Sequence, residues 1–314
     1  MSTVETGLAA DPAVPEAGVV DHAAHSPHSD PGRHAALLDD VPTDLEGLSR
    51  VARNVIAHYR AAEVDLPEEG RDDIHLRWVE AILGRDRERH DAPLSVPRAE
   101  VSRVQGCCRD HTLFCVAALR HHGVPARSRI GFAGYFTQGW HHDHVVPEAW
   151  LGGRWMRFDP EPTEGTAALP DPRNMAVGEG APFLTAATAW RGYRRGELDA
   201  DRFGVDPSVP HRGPEFIRDY VLREVAHRFG DELLLWDVWG LVGSPLQTDV
   251  ALVDEVAQLL VAADGGSRDA EVELLGRYRE DERLRPGRWI QRFSPFDDRA
   301  RVDLVTRTET VTSV

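Results

Sequence analysis

The stretch 106–127, GCCRDHTLFCVAALRHHGVPAR, is where this chain declares its architecture. From Cys107 to His122 it reads as a helix, with Leu113, Phe114, Val116, Ala117 and Leu119 forming a broad apolar surface. Gly123 fits the position just past a helix end, and Pro125 follows where proline commonly does. Three strand-like runs come next, at 126–136, 144–151 and 154–160. Gly152-Gly153 between the last two is a two-residue hairpin signal.

The start of the helix suits a nucleophile. A cysteine attacks as the thiolate, so its pKa has to fall, and a helix N-terminus favours the anion through its dipole and free backbone N–H groups. Gly106-Cys107-Cys108-Arg109-Asp110 places Cys108 there, with first-turn N–H groups available to an oxyanion. A nucleophile needs a base, and the base needs an orienting acceptor. With Gly152-Gly153 as the turn, Leu151 faces Arg154 and paired positions sum to 305. Asp159 then lies opposite Val146 and His144 opposite Glu161, so His144 and Asp159 are diagonal neighbours on one face, within hydrogen-bond reach. A loop of odd length would put them on opposite faces. The same face pairs Glu148 with Arg157, a cross-strand salt bridge, and Trp150 with Trp155, a packing pair.

These blocks resemble the transglutaminase-like superfamily. The resemblance rests on Gly106-Cys107-Cys108-Arg109-Asp110 opening a helix that ends in Gly123-Val124-Pro125-Ala126-Arg127, on His144 with Glu148 four residues later, and on Trp155 followed by Asp159-Pro160. The family usually has Trp two residues after its histidine, where this chain has Val146, and commonly an aromatic after Cys-x-Asp, where it has His111. The resemblance implies an α+β fold with a papain-like core, a helix packed on an antiparallel sheet. It also implies a Cys108–His144–Asp159 triad and thiol acyl transfer: amide or ester hydrolysis, or transfer to an amine. No cofactor and no metal are expected.

Neighbouring residues have blander readings. Cys107 and Cys115 read as buried thiols. Asp110 reads as a structural first-turn carboxylate, and His121 and His122 as cations at a helix C-terminus. Gln105 either donates to an oxyanion or contacts backbone. His141-His142-Asp143-His144 could ligate a metal with Cys108 and His111, yet nothing has the two-Cys or His-Glu-x-x-His spacing of zinc sites.

The flanks are read more coarsely. Residues 1–33 lack aromatics and read as a disordered tail, its HAAHSPH histidines solvated. A catalytic domain is expected at 34–165, opening with helical periodicity at Leu45, Leu48, Val51, Val55 and Ile56 and again at Ile74, Trp78, Val79, Ile82 and Leu83. A mainly helical region is expected at 166–314, with helices at 183–200, 214–242, 248–263 and 267–283 and a loosely held last dozen residues.

Of the 314 residues, 41% are hydrophobic, enough for a core, and the formal net charge is −16, which makes nucleic acid an unsuitable partner. All 36 basic Lys+Arg residues are arginine, which excludes a lysine Schiff base and hints at a GC-rich bacterial genome. No apolar run reaches membrane length and no secretory signal is visible, so no membrane association and a cytoplasmic location are expected. Three cysteines within nine residues are not a disulfide framework and read as reduced thiols. The expected activity is a cysteine enzyme acting on a peptide, amide or small-molecule acyl substrate. Its rival is a catalytically silent binding or scaffold protein of the same fold.

Overall fold

The computed structural model describes residues 19–163 and 169–312. Helix α1 (Leu45–Val55) runs directly into a three-residue strand, β1 (Ile56–His58). Its N-cap Asp44 accepts from the Gly47 N–H, and Leu48, Val51, Ala52 and Val55 supply its buried side. Helix α2 (Val79–Arg89) follows, and then β2 (Val104–Gly106), which pairs in parallel with β1 and sets His58 beside Gly106. The helical periodicity of the first segment includes Ile56, yet that residue opens β1. β1 departs from that because its partner comes from far along the chain, which local periodicity does not report.

Helix α3 (Cys108–His121) follows β2 at once and packs on β3 (Ala126–Ala133) and β4 (His141–Leu151). The α1 and α2 residues Leu48, Val55, Ile82 and Leu83 share a core cluster with Leu113, Phe114 and Val116 of α3. β4 turns into β5 (Arg154–Arg157) through Gly152 (φ +57) and Gly153 (φ +74). Positive φ at both central positions is what a tight hairpin requires and what glycine supplies without strain. The register is Glu148↔Arg157, Ala149↔Met156, Trp150↔Trp155 and Leu151↔Arg154, the expected one. β6 (Phe183–Thr185) completes the order β5-β4-β3-β6, and β7 (Phe203–Gly204) runs parallel to the start of β4. The class is α+β.

Helices α4 (Ala186–Arg194) and α5 (Pro214–Arg228) cover β3, and α6 (Val250–Asp264) and α7 (Arg268–Glu280) lie beyond them. Cys107, Cys108, Ile130, Phe132 and Val145 share one hydrophobic cluster with Tyr220, Val221, Val225, Leu260 and Leu274. The later helices therefore finish the core that carries Cys108. The expected boundary at 165/166 falls outside the described residues.

The region after 166 is less helical than expected. α5 ends at Arg228, not 242, and β8 (Asp237–Val238) joins β9 (Trp289–Phe293), β10 (Arg299–Asp303) and β11 (Thr308–Val311) in a four-stranded sheet, order β11-β10-β9-β8. The last dozen residues are thus partly held, with Ala300 paired to Val311. These strands are short and their exposed faces carry Trp289 and Phe293, which masks the alternation that marks a half-buried strand.

The disordered tail expected at 1–33 is corrected for 19–33; residues 1–18 lie outside the described set. His22 meets Trp155 edge-on at 5.2 Å and His28 stacks on Trp78 at 6.4 Å. Ser29 is fully buried and accepts from Arg120 at 2.8 Å, while Arg120 pairs with Glu232 at 3.2 Å and Ser26 donates to the same Glu232. Polar anchors hold this strap, so its lack of apolar periodicity was no guide.

Candidate active site

Cys108 is the first residue of α3 and Cys107 its N-cap. A capping box closes the start: the Cys107 N–H donates to Asp110 Oδ2 at 2.8 Å, and the Asp110 N–H points at the Cys107 sulfur. Asp110 therefore has the structural role expected of it. Arg109 is buried and donates through Nε to the Glu232 carbonyl at 3.0 Å and through Nη1 to Asp110 Oδ1 at 2.9 Å, fixing the turn from a second side. Thr112 Oγ1 donates to the Val145 carbonyl at 2.8 Å, which ties α3 to β4 next to His144.

The hairpin brings His144 and Asp159 together: His144 Nε2 lies 2.7 Å from Asp159 Oδ2, both side chains buried. This uses Nε2 and leaves Nδ1 as the ring nitrogen for a thiol. Asp159 also accepts from the Tyr135 hydroxyl and, at Oδ1, from the Glu161 N–H at 3.0 Å. Burial opposes charging of the ring, but the Asp159 carboxylate and its hydrogen bond prevail, with Glu161 and Asp143 adding to them, and the His144 pKa is pushed up to about 9. Burial likewise opposes the Asp159 charge, and His144 with the three hydrogen bonds holds its carboxyl below the usual range.

The Cys108 thiol differs from expectation. Its hydrogen bond with Cys107, burial, and the charges of Cys107, Glu161 and Asp143 push it well up, against the lowering expected at a helix start. The helix end acts on a thiol that is only 5% exposed and faces carboxylates. Cys107 and Cys115 are buried, as expected of packing thiols, and all three cysteines are free.

Two residues that the sequence reading gave no site role complete the surroundings. Cys108, His58 and Glu161 present ligand-type atoms all within 4.8 Å of one another, and so do His144, Asp159 and Glu161. Glu161 is therefore close to both the thiol and the His144–Asp159 pair. The pairing rule that set His144 opposite Glu161 already held that signal. His58 arrives through the β1–β2 pairing and had none. Its Nδ1 accepts from the Arg60 N–H at 3.2 Å, and its Nε2 faces Glu161 Oε2 at 4.0 Å. His111 Nδ1 lies 3.9 Å from Glu161 Oε1. Among the described residues, these two triples are the sets that could hold a metal.

The histidine cluster weighed as a metal site is spread over other partners. His141 stacks on Phe203 at 4.3 Å, His142 Nδ1 lies 2.9 Å from the Val205 carbonyl, and Asp143 accepts from the Tyr220 hydroxyl of α5. Gln105 donates to the Pro67 carbonyl at 2.6 Å, the backbone contact of its two readings. Glu148 pairs with Arg127 at 2.7 Å and with Arg157 at 2.8 Å, the expected cross-strand bridge. Trp150 meets Trp155 edge-on at 5.6 Å. His121 pairs with Asp39 at 2.8 Å, and His122 Nε2 lies 3.0 Å from the Leu38 carbonyl. Phe136 stays 46% exposed with its ring 5.1 Å from that of His144, so it walls the approach to the base.

Residues 73–160 match the family model of the transglutaminase-like superfamily. No curated protein matches the chain. Among solved structures, one from Cytophaga hutchinsonii, carrying a provisional cysteine-protease name, aligns at 16% identity and a TM-score of 0.34. That alignment covers 56% of this chain and 49% of the other, so this chain spans about half its length. The segment 73–160, which contains Cys108, His144 and Asp159, belongs to the transglutaminase-like superfamily.

Proposed function

We propose that this chain is a cysteine-dependent enzyme that cleaves amide or ester bonds through a thioester on Cys108. The observation that carries the reading is the buried 2.7 Å contact of His144 with Asp159, beside a cysteine that opens a helix. His144 takes the Cys108 thiol proton, the thiolate so formed attacks the carbonyl carbon, and backbone N–H groups of the first turn of α3 face the developing oxyanion. As the carbon–nitrogen bond breaks, His144 gives its proton to the departing amine. Water or an amine then attacks the thioester, His144 accepts its proton, and the thiol returns. Asp159 and Tyr135 orient the ring throughout. A peptide, amide or small-molecule acyl donor is the substrate, and the free thiols accord with a reducing cytoplasm.

The test is a burst experiment with p-nitrophenyl acetate. The protein should release one equivalent of p-nitrophenol rapidly and carry an acetyl group on Cys108 by peptide mass mapping. Cys108→Ala should give neither while keeping its thermal transition. A wild-type protein that neither bursts nor acetylates at Cys108 supports the silent scaffold instead.

A further inference from the structure

Glu161 brings a negative charge to the reaction centre that the proposed chemistry does not use. Its carboxylate lies within 4.8 Å of Cys108 Sγ and of a ring nitrogen of His144. Oε1 is buried and has no hydrogen-bond partner among the described residues. The histidines that flank it stand at 3.9 and 4.0 Å, beyond hydrogen bonding. His58 does not neutralise it at neutral pH, because burial, against a smaller pull from Glu161, lowers the pKa of that ring. The side chain is 16% exposed, so the group is reachable. An acceptor-only carboxylate held beside a nucleophile by its own backbone bond to Asp159 is suited to a cation.

Resting on the acyl-transfer reading above, we propose that Glu161 binds an ammonium group on the acyl donor, next to the carbonyl that Cys108 attacks. The α-nitrogen of an aminoacyl group sits about 2.5 Å from its carbonyl carbon by standard backbone dimensions. A charge-assisted N–H···O bond spans about 2.8 Å more. With the carbonyl carbon bonded to sulfur, a bent path of that length joins the α-nitrogen to a carboxylate within 4.8 Å of Sγ. An attacking amine is the wrong occupant. It must react as the free base, and a carboxylate stabilises the protonated, unreactive form. A cation that stays protonated through the reaction belongs to the donor. The substrate class is therefore an aminoacyl amide or ester with a free α-amine.

The first arm of the test labels Cys108 with methanethiosulfonates, the cationic 2-aminoethyl reagent against the neutral methyl reagent, and maps the label by mass. Both reagents meet the same thiolate, so the ratio of their rates reports local charge independently of thiol acidity. Normalised to free cysteine, that ratio should be at least tenfold in favour of the cation, and Glu161→Gln should return it towards one. The second arm compares phenyl esters of alanine and N-acetylalanine on the wild type alone, which needs no folded variant. The free-amine ester should acylate Cys108 at least tenfold faster, each rate taken relative to its hydrolysis by hydroxide. Normal acylation with no free-amine preference, or a wild-type reagent ratio equal to that of free cysteine, overturns the proposal. So does a Glu161 dependence confined to aminolysis of the acyl-enzyme by ethylamine. Absence of acylation by any ester is a different result, the failure of the underlying thioester reading.

Discussion

Asp159 has no exposed surface and three donors around its carboxylate, so it is the residue on which the base depends most. Asp159→Asn should leave the hairpin in place and lower ester turnover sharply, since an amide does not stabilise imidazolium and favours the wrong tautomer. The loss should fall short of the ~10⁴-fold seen for the same change in a serine triad, because a cysteine sulfur is intrinsically more nucleophilic than a serine hydroxyl and depends less on its base. The pair also makes stability pH-dependent. The His144 pKa is raised from 6.5 to about 9, so its share of stability is complete below 6.5 and is lost as pH rises through 9. That of Asp159 is depressed from 3.8, so its share is present above 3.8 and is lost as pH falls through the lower folded value. Melting curves should therefore show the largest gap between wild type and Asp159→Asn from about pH 4 to 6.5, narrowing above 9. The raised thiol makes a second expectation: iodoacetamide labelling of Cys108 should keep accelerating from neutral pH into the alkaline range. An alkylation rate already level below pH 7 counts against it. At this scale the sequence was legible where chemistry sits in a fixed local frame, as Cys108 does at a helix start and His144 with Asp159 on a hairpin. It was illegible for His58, which only a distant strand pairing brings to the thiol.

The β4–β5 hairpin was the most readable element, because two glycines that both take positive φ force the turn and the turn forces the register. Inserting one glycine between Gly152 and Gly153 should slip the pairing by one residue, part His144 from Asp159 and abolish the esterase burst in a folded protein. Unchanged kinetics with an intact thermal transition would mean that something other than the turn orients His144. The start of α3 is the other decisive element. Asp110→Ala removes the acceptor of the Cys107 N–H, and losing such a cap costs ~1 kcal/mol. It should also speed Cys108 labelling, because a frayed first turn exposes a thiol that burial holds back. The β1–β2 pair and the sheet from β8 to β11 were not readable in the same way. Their strands are two to five residues long and gain their partners only in the assembled chain.

Over the whole molecule, the strap at 19–33 changes what truncation should do. Deleting 1–33 removes Ser29 from Arg120 and Ser26 from Glu232, and leaves two buried, charged side chains short of partners. One kcal/mol lost lowers Tm by roughly 2–4 °C at 150–250 residues, so a fall of several degrees relative to a 1–18 deletion is expected in a thermal melt. The later helices likewise cannot be cut away as an accessory, since Tyr220, Val221 and Leu260 share the cluster that holds Cys108.

The strap also bears on the order of assembly. Ser26 bonds to Glu232 across 206 residues of sequence, and closing so long a loop comes late in folding because the entropy of closure precedes any reward. On a ribosome the strap emerges before its partners, and Ser26 has no Glu232 to hold until 206 residues later. A segment made before its partners is thus among the last fixed, a latch that closes over a finished molecule.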